Sequence, residues 1–175
     1  MSRSADLDYS LLIKKLPGLP APTRLTYEDI SATAITRADL ADDVRGINAS
    51  LALIRKTRGG GWPTEPVTEE FNYVDLVWHE LEFREHESFT YAVRADNGRY
   101  LGCCYLYPMG RRVELTDDLV TCDVDVSWWV VPEAYEAGTY TKLFRALRHW
   151  VMTDYPFTRP YFSNREIPDV EASEP

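Results

Sequence analysis

The run from Val124 to Met152 constrains the fold most, because a strand pattern changes to a helix pattern there within a few residues. Val120–Val131 is rich in β-branched and aromatic residues, and its apolar and polar side chains alternate as on a strand with two distinct faces. Pro132 ends that strand, and from Gly138 onward apolar residues recur at helical spacing, at Leu143, Ala146, Leu147, Trp150 and Val151. This succession places the free N–H groups of a helix start beside a strand end, an arrangement suited to binding phosphate.

Two helices are predicted before this run. Thr36 is suited to cap the first helix, after a short strand at Ile30–Ile35, and the apolar stripe of that helix is Leu40, Val44, Ile47, Leu51 and Ile54. Thr68 is suited to cap the second helix, whose stripe is Phe71, Val74, Val77, Trp78 and Leu81. The glycine-rich segment Gly59–Pro63 joins the two.

A hairpin and a last strand complete the predicted elements. Phe89–Arg94 and Tyr100–Tyr107 are β-rich runs, and the Asn-Gly pair between them suits a tight hairpin turn. Phe157–Ser163 is predicted as a final short strand. The elements therefore predict one α/β domain over residues 25–164. A proline-containing N-terminal arm at 1–24, with a short strand or helix at Tyr9–Ile13, precedes it, and an acidic tail at 165–175 follows it.

Charge and composition exclude several classes of function. The net charge is −9 and no basic cluster occurs, so a nucleic-acid surface is not expected. The acidic surface either steers amines toward a site or only keeps the protein soluble. No apolar stretch suits a membrane span or a secretory signal, so we expect a cytoplasmic protein without a membrane partner. Cys103, Cys104 and Cys122 lie in apolar runs without metal-site spacing, which favours buried thiols and no metal.

The sequence from Asp125 to Leu147 resembles the GNAT superfamily of N-acetyltransferases, particularly its ribosomal-protein-acetyltransferase-like branch. In that branch a strand ending in Tyr-Trp-Val-x-Pro-Glu precedes a Gln/Arg-x-x-Gly-x-Gly/Ala loop and a helix rich in Ala and Leu. Here Trp128–Glu133 precedes a loop with Gly138 and such a helix. The resemblance implies an α/β (α+β) fold, with a mixed, mostly antiparallel twisted sheet flanked by helices in three αβα layers.

The resemblance also implies an activity and a set of cofactor residues. The activity is acyl-CoA-dependent N-acyltransfer, with acetyl-CoA as the cofactor and an amine of a small molecule or a protein as the acceptor. In this family the loop backbone holds the coenzyme A pyrophosphate, and the preceding strand pairs with the pantetheine arm. Asn164 resembles an Asn that often follows the fifth strand and contacts the cofactor. The implied cofactor residues are Trp129, Val130, Val131, Tyr135, Glu136, Ala137, Gly138, Thr139, Tyr140, Thr141 and Asn164.

Asp125 is the candidate general base, because family members often carry a Glu or Asp at this position of the strand. Transfer to an amine needs a group that takes a proton as the nitrogen attacks the thioester. Asp123 shares the alternation of Asp125, and two neighbouring carboxylates raise the pKa of one of them. The alternative, that both carboxylates face water, stays open. His149 is interpreted as a solvated helix residue.

Two departures from the family motivate an alternative function. Tyr135 stands where the family has Gln or Arg, and Tyr140 stands where it has Gly or Ala. Few residues follow Asn164, where the family continues into another helix and a final hairpin, so no residue here matches the Tyr that often protonates the departing thiolate. The alternative is a catalytically inactive GNAT-like binding or assembly module. A sheet without the final hairpin exposes an edge strand, which favours a homodimer.

Two further features have both a functional and an ordinary interpretation. Gly59–Pro63 lies where the family often lines its acceptor site, so it is either a mobile lid or a flexible connector. The 11 Tyr and 5 Trp residues either build an aromatic acceptor pocket or pack the core.

Overall fold

A computed structural model describes Leu16 and residues 21–170, and these form one six-stranded sheet. The strands follow one another in chain order across the sheet, and each pair is antiparallel except the last, which is parallel. They are β1 (Arg24–Tyr27), β2 (Ile30–Ala34), β3 (Phe89–Ala95), β4 (Tyr100–Tyr107), β5 (Val124–Val130) and β6 (Pro160–Phe162). The predicted mixed, mostly antiparallel sheet is confirmed, and β1 is a strand that the sequence pattern did not predict.

Helices cover both faces of the sheet and so form the predicted three layers. On one face lie α1 (Leu40–Ala49), α2 (Leu51–Thr57) and α3 (Glu69–Arg84). On the other face lie α4 (Pro132–Glu136) and α5 (Thr139–Thr153). Because both faces are covered, every residue of β5 is buried, including the polar side chains that the alternation assigned to a second face. The two faces therefore carry two separate hydrophobic cores.

The first predicted helix is confirmed, but it is interrupted. The Thr36 side chain and Asp39 form a capping box around a single 3-10 turn, and α1 follows directly. At Ser50 the backbone leaves helical geometry, with φ −124°, and the chain resumes as α2. The break redirects the second half of the stripe, so that Ile54 is buried against the sheet.

The second predicted helix is confirmed with Thr68 as its cap, but three of the five residues of its apolar stripe are exposed, and Val77 and Leu81 are only partly buried. Phe71, Val74 and Trp78 are 62%, 55% and 57% exposed. The buried side of α3 instead carries Leu76 and Asn72, and the Asn72 amide donates to the buried Asp43 carboxylate of α1 at 2.7 Å. This polar contact between helices orients α3, and periodicity in a single helix does not reveal it.

The ends of the described chain pack against the domain. Leu16 is buried, and its N–H donates to the carbonyl of His86 at 2.8 Å. Near the other end, the N–H of Glu166 donates to the carbonyl of Thr57 at 2.9 Å. The domain boundaries remain predictions, and the element expected at Tyr9–Ile13 lies outside the described residues. Among the described residues, no helix has both the length and the apolar character needed to cross a membrane.

Candidate active site

The strands β5 and β6 pair only at their beginnings and then diverge. Val124, Val126 and the residue between them align with β6, and the N–H of Ser163 donates to the carbonyl of Val126 at 3.0 Å. Beyond that point β5 continues to Val130, whereas the segment after β6 turns away from it. A gap therefore opens between β5 and this segment, beside the start of α5.

Asn164 and Tyr140 close this gap from within the protein. The Asn164 side-chain amide bonds both main-chain groups of Trp128, accepting from its N–H at 3.1 Å and donating to its carbonyl at 2.9 Å. The same amide donates to the Tyr140 hydroxyl at 2.6 Å. The Tyr140 ring packs on the Trp128 ring, with centroids 5.2 Å apart, and the residue is only 3% exposed. Thus a side-chain amide occupies the edge of β5 that a further main chain would pair with.

Glu166 connects the segment after β6 to the end of α4 and the start of α5. The Tyr140 hydroxyl donates to the Glu166 carbonyl at 2.6 Å, and the Tyr135 hydroxyl donates to the Glu166 carboxylate. The hydrogen bond to Glu166 and burial together raise the pKa of Tyr135, while burial is the largest cause that raises the pKa of Tyr140. Both phenols therefore stay protonated and act as donors at neutral pH. Lys56 approaches this cluster at 3.8 Å from Glu166.

The start of α5 carries unpaired main-chain donors. Gly138 adopts the left-handed conformation, with φ 82°, which favours glycine and turns the chain from α4 into α5. Within the described residues, no acceptor receives the N–H groups of Thr139, Tyr140 or Thr141. These groups lie at the positive end of a 15-residue helix. Glu136, the last residue of α4, and Ala137 precede this turn and are exposed.

The three predicted cofactor residues on β5 and after it lie between the two cores. The Trp129 side chain points to the α1–α3 face, where its indole N–H donates to the Tyr105 hydroxyl at 2.9 Å. Val130 points to the α5 face, and Val131 pairs its N–H with the Leu101 carbonyl at 2.8 Å. Trp129, Val130 and Val131 lie near the loop because they directly precede it in the sequence, and they lie near Asn164 because that residue bonds Trp128. Their roles toward a cofactor remain predictions.

Asp125 is buried and does not face water. It is 1% exposed, on the face of β5 toward the α1–α3 layer. Neither carboxylate oxygen makes a hydrogen bond of standard geometry to a described residue, although the Ser163 hydroxyl lies near enough to lower the carboxyl pKa. Burial outweighs this effect and the charges of Arg112 and Arg58, so the pKa of Asp125 is raised. The expected cause, repulsion from Asp123, is wrong, because Asp123 instead accepts main-chain N–H groups of Thr158 and Arg159.

A pocket of about 410 Å³ lies on the α1–α3 side of the sheet. Its walls are the Gly59–Trp62 segment, the inner face of α3, the end of β4 and the loop after β4. Six of its lining residues carry ionisable side chains, and they are Arg58, Asp75, His79, Glu82, Arg111 and Arg112. Tyr105, Tyr107 and Trp62 supply aromatic surface. We call this cavity the sheet pocket.

Arg58 is the buried cation of the sheet pocket. It is 8% exposed, its guanidinium carbon lies 4.0 Å from the centre of the Tyr105 ring, and its Nε donates to Ser127 at 3.1 Å. Arg112 lies beside it and donates to the carbonyls of Arg58 and Ser163. Burial and the neighbouring Arg58 charge lower the pKa of Arg112. These two arginines connect the pocket to the strand that carries Asp125.

A second charged group, on α3, forms the opposite wall. The His79 ring lies between the carboxylates of Asp75, at 3.3 Å, and Glu82, at 3.6 Å. Burial alone would lower the pKa of His79, but the two carboxylates outweigh it and raise the pKa to about 9. Burial would raise the pKa of Glu82, but His79 and Arg111 lower it to about 2. His79 is therefore protonated at neutral pH, and its charge is neutralised locally.

Sequence reasoning located the loop and Asp125 but missed Arg58, Arg112 and His79. Residues 59–62 of the glycine-rich segment line the pocket, and the mobile lid and the flexible connector both stay predictions. No local sequence pattern indicates a role for the two arginines, because their contacts are long-range: Arg58 bonds Ser127, which lies 69 positions away in the sequence. His79 could have been found from its Asp and Glu neighbours at helical spacing. His149 is exposed, as expected, and Cys103 and Cys104 are buried free thiols, whereas Cys122, also expected to be buried, is partly exposed in the segment before β5.

Comparison with solved structures identifies the fold. A ribosomal L7/L12 alpha-N-protein acetyltransferase in complex with coenzyme A matches with a TM-score of 0.54 and 11% identity, over 77% of this chain and 69% of the other. A ribosomal-protein-S5-alanine acetyltransferase from Vibrio fischeri matches with a TM-score of 0.57 and 11% identity, over 76% of this chain and 69% of the other. An acetyl transferase from Salmonella typhimurium that modifies the N-terminal serine of L7/L12 gives 0.55 and 10%, over 75% and 70%. No family model and no curated protein matches the sequence. The fold is therefore of the GNAT type.

Proposed function

We propose that this chain of GNAT-type fold is an acyl-CoA-dependent N-acyltransferase, which transfers an acetyl group to an amine of a small molecule or a protein. The observation that carries the proposal is the divergence of β5 from β6 beside the unpaired N–H groups at the start of α5. Structures that resemble it include an acetyltransferase in complex with coenzyme A. The function requires a phosphate site, a groove for an extended arm and a base near an acceptor pocket, and each has a counterpart here.

The residues around the loop fit the phosphate part of coenzyme A. The N–H groups of Thr139, Tyr140 and Thr141 would hold the pyrophosphate, together with the left-handed turn at Gly138. The groove between β5 and β6 fits the pantetheine arm only if Asn164 and the Tyr140 ring turn out of it, because both now bond or cover Trp128. Coenzyme A, when bound, would supply the thioester and its acyl group.

Asp125 would act as the general base. Its buried carboxylate has a raised pKa and no hydrogen bond of standard geometry, so it is a better proton acceptor than an exposed aspartate. Asp125 does not line the sheet pocket, so an amine bound there would pass its proton to this carboxylate through an intervening water as the nitrogen bonds to the acyl carbon, and the carbon–sulfur bond would break with the coenzyme A thiolate leaving. Arg58 and Arg112 lie between pocket and strand and would keep the carboxylate ionised before the transfer.

A second function, an inactive binding module, is favoured by the closed groove. Asn164 already satisfies the N–H and the carbonyl of Trp128 that an extended arm would pair with. Four hydrogen bonds and the Tyr140 ring must be given up or exchanged before coenzyme A can enter.

Calorimetry with acetyl-CoA separates the two functions. For the enzyme we expect saturable binding by the wild type and tighter binding by Tyr140→Ala, by about tenfold, because this variant removes the ring from the groove. Tyr140→Phe is the matched control, since it keeps the ring. Thiol release in the presence of an amine should fall at least about a hundredfold in Asp125→Ala and much less in Asp123→Ala. Absence of binding by the wild type and by Tyr140→Ala would leave the binding module as the function.

A further inference from the structure

The charges of the sheet pocket are not balanced by the protein. Arg111 pairs with Glu82, and His79 lies between Asp75 and Glu82. Arg58 and Arg112, in contrast, have no carboxylate at ion-pair distance among the described residues. The lack of a partner matters at Arg58 because this side chain is buried, whereas an unpaired arginine at the surface stays hydrated.

Arg58 is held in a fixed position with its terminal nitrogens free. Its Nε–H donates to Ser127, and the guanidinium plane is held against Tyr105. Within the described part of the chain, no hydrogen bond uses its two terminal nitrogens, although the residue is 8% exposed and lines the pocket. A planar, preorganised guanidinium with two free nitrogens matches the two oxygens of a carboxylate or a phosphate.

Arg112 adds a second positive charge to the same wall. Its own nitrogens donate to the Ser163 hydroxyl and to main-chain carbonyls, so it is fixed in place without being neutralised. A buried cation without a counter-charge destabilises a protein, and an anionic ligand would relieve that cost. Asp125, the one carboxylate of β5, is near enough for both arginines to lower its pKa, but it lies beyond ion-pair distance of either and leaves the terminal nitrogens of Arg58 free.

We propose that the sheet pocket binds a small organic anion whose carboxylate or phosphate group is held by Arg58 beside Arg112, with its apolar body against Tyr105, Tyr107 and Trp62. Resting on the proposed acyl transfer, this anion is the acceptor, so the acceptor amine carries an anionic group of its own. Arg94 shows the contrast within the same fold. It also lies over a tyrosine ring, that of Tyr100, but pairs with Asp39 and Asp42 and so offers no free charge.

Binding is tested without coenzyme, so that the outcome does not depend on acyl transfer. Calorimetry would compare phenylacetate and phenyl phosphate with the neutral phenylacetamide and the cationic phenethylamine. We expect at least one anion to bind, and the neutral and cationic probes to bind at least about tenfold more weakly. The better anion decides between a carboxylate and a phosphate. Equal binding of phenylacetamide, or binding of none of the anions, would overturn the proposal.

Variants identify the site. Arg58→Gln should weaken the binding of the anion at least about tenfold. Arg94→Gln, which removes an arginine from an equivalent position over a tyrosine, should change the affinity by no more than about twofold. If Arg58→Gln does not fold, Gly61 provides an independent test, because a Cβ added there meets no atom within 4 Å. Gly61→Glu should weaken the binding of the anion several-fold through charge repulsion, and the neutral variant of the same size, Gly61→Gln, should not. Equal binding by the two Gly61 variants would contradict a site for anions in this pocket.

Discussion

At the scale of single residues, Asp125 combines burial, a raised pKa and no hydrogen bond of standard geometry, which is a costly arrangement for stability. A carboxyl group whose pKa is raised on folding destabilises the folded state at pH values above its unfolded pKa, near 3.8, and has no such effect below it. Asp125→Asn should therefore raise the free energy of unfolding at pH 7, on the order of 1 kcal/mol, and change it little at pH 3. Urea unfolding at the two pH values measures this.

Asp123 is the control for that prediction, because it lies two residues earlier but accepts hydrogen bonds from two main-chain N–H groups and one hydroxyl. Asp123→Asn should lower stability at pH 7, by about 1 kcal/mol. A destabilised Asp125→Asn protein would show that this carboxylate has structural partners. A stabilised protein with slower acyl transfer would fit a residue retained for function at a cost in stability.

His79 gives a second pH dependence at the residue scale, with the opposite sign. Its pKa is raised from 6.5 to about 9, so the stability that it contributes is fully present below pH 6.5 and is lost as the pH rises through 9. The wild type should lose on the order of 2 kcal/mol between these values, and His79→Gln should lose much less. His149→Gln, at an exposed position of α5, is the control and should behave as the wild type. A wild-type curve that is flat over this range would contradict the ion pairs of His79.

At the scale of elements, the sequence predicted the features that depend on neighbouring residues, but not the contacts between elements that are far apart in the sequence. Thr36 and Thr68 mark helix starts because a cap acts within three residues, and the hairpin depends on its own turn. The closure of the groove could not be predicted, because Asn164 reaches Trp128 over 36 positions and its side chain takes the place of a strand. The β-branched and aromatic pattern of β5 predicted a strand, but the helices that bury both of its faces lie elsewhere in the sequence.

The outward stripe of α3 leads to a prediction for that element. Val74 and Trp78 are exposed, so Val74→Gln and Trp78→Gln should each change the free energy of unfolding by less than about 0.5 kcal/mol. Leu76→Ala, on the buried side of the same helix, should cost about 2–5 kcal/mol because it leaves a cavity in the α1–α3 core. Thermal or urea unfolding of the three variants measures the difference. A large loss in Trp78→Gln would mean that this stripe is covered in solution.

At the scale of the whole molecule, the sheet edges and an exposed stripe offer contact to a second copy. Among the described residues the sheet ends at β1 on one side and at β6 on the other, and β6 is the edge that the expected dimer uses. The stripe is Phe71, Val74 and Trp78 on α3. The expectation from sequence is a homodimer through the sheet edge, because an unpaired strand edge offers main-chain hydrogen bonds to another chain. Like charges oppose such a contact at a net charge of −9 per chain, so added salt should strengthen it.

Light scattering over a range of protein concentrations tests this dimer and identifies its surface. We expect dimers that become tighter between low and physiological ionic strength, and we expect the double variant Val74→Gln with Trp78→Gln to dimerise as the wild type does. This result follows if main-chain pairing at β6 holds the copies together, because the substitutions leave that edge unchanged. Loss of the dimer in the double variant would assign the contact to α3, and a monomer at every concentration and salt level would exclude the edge pairing.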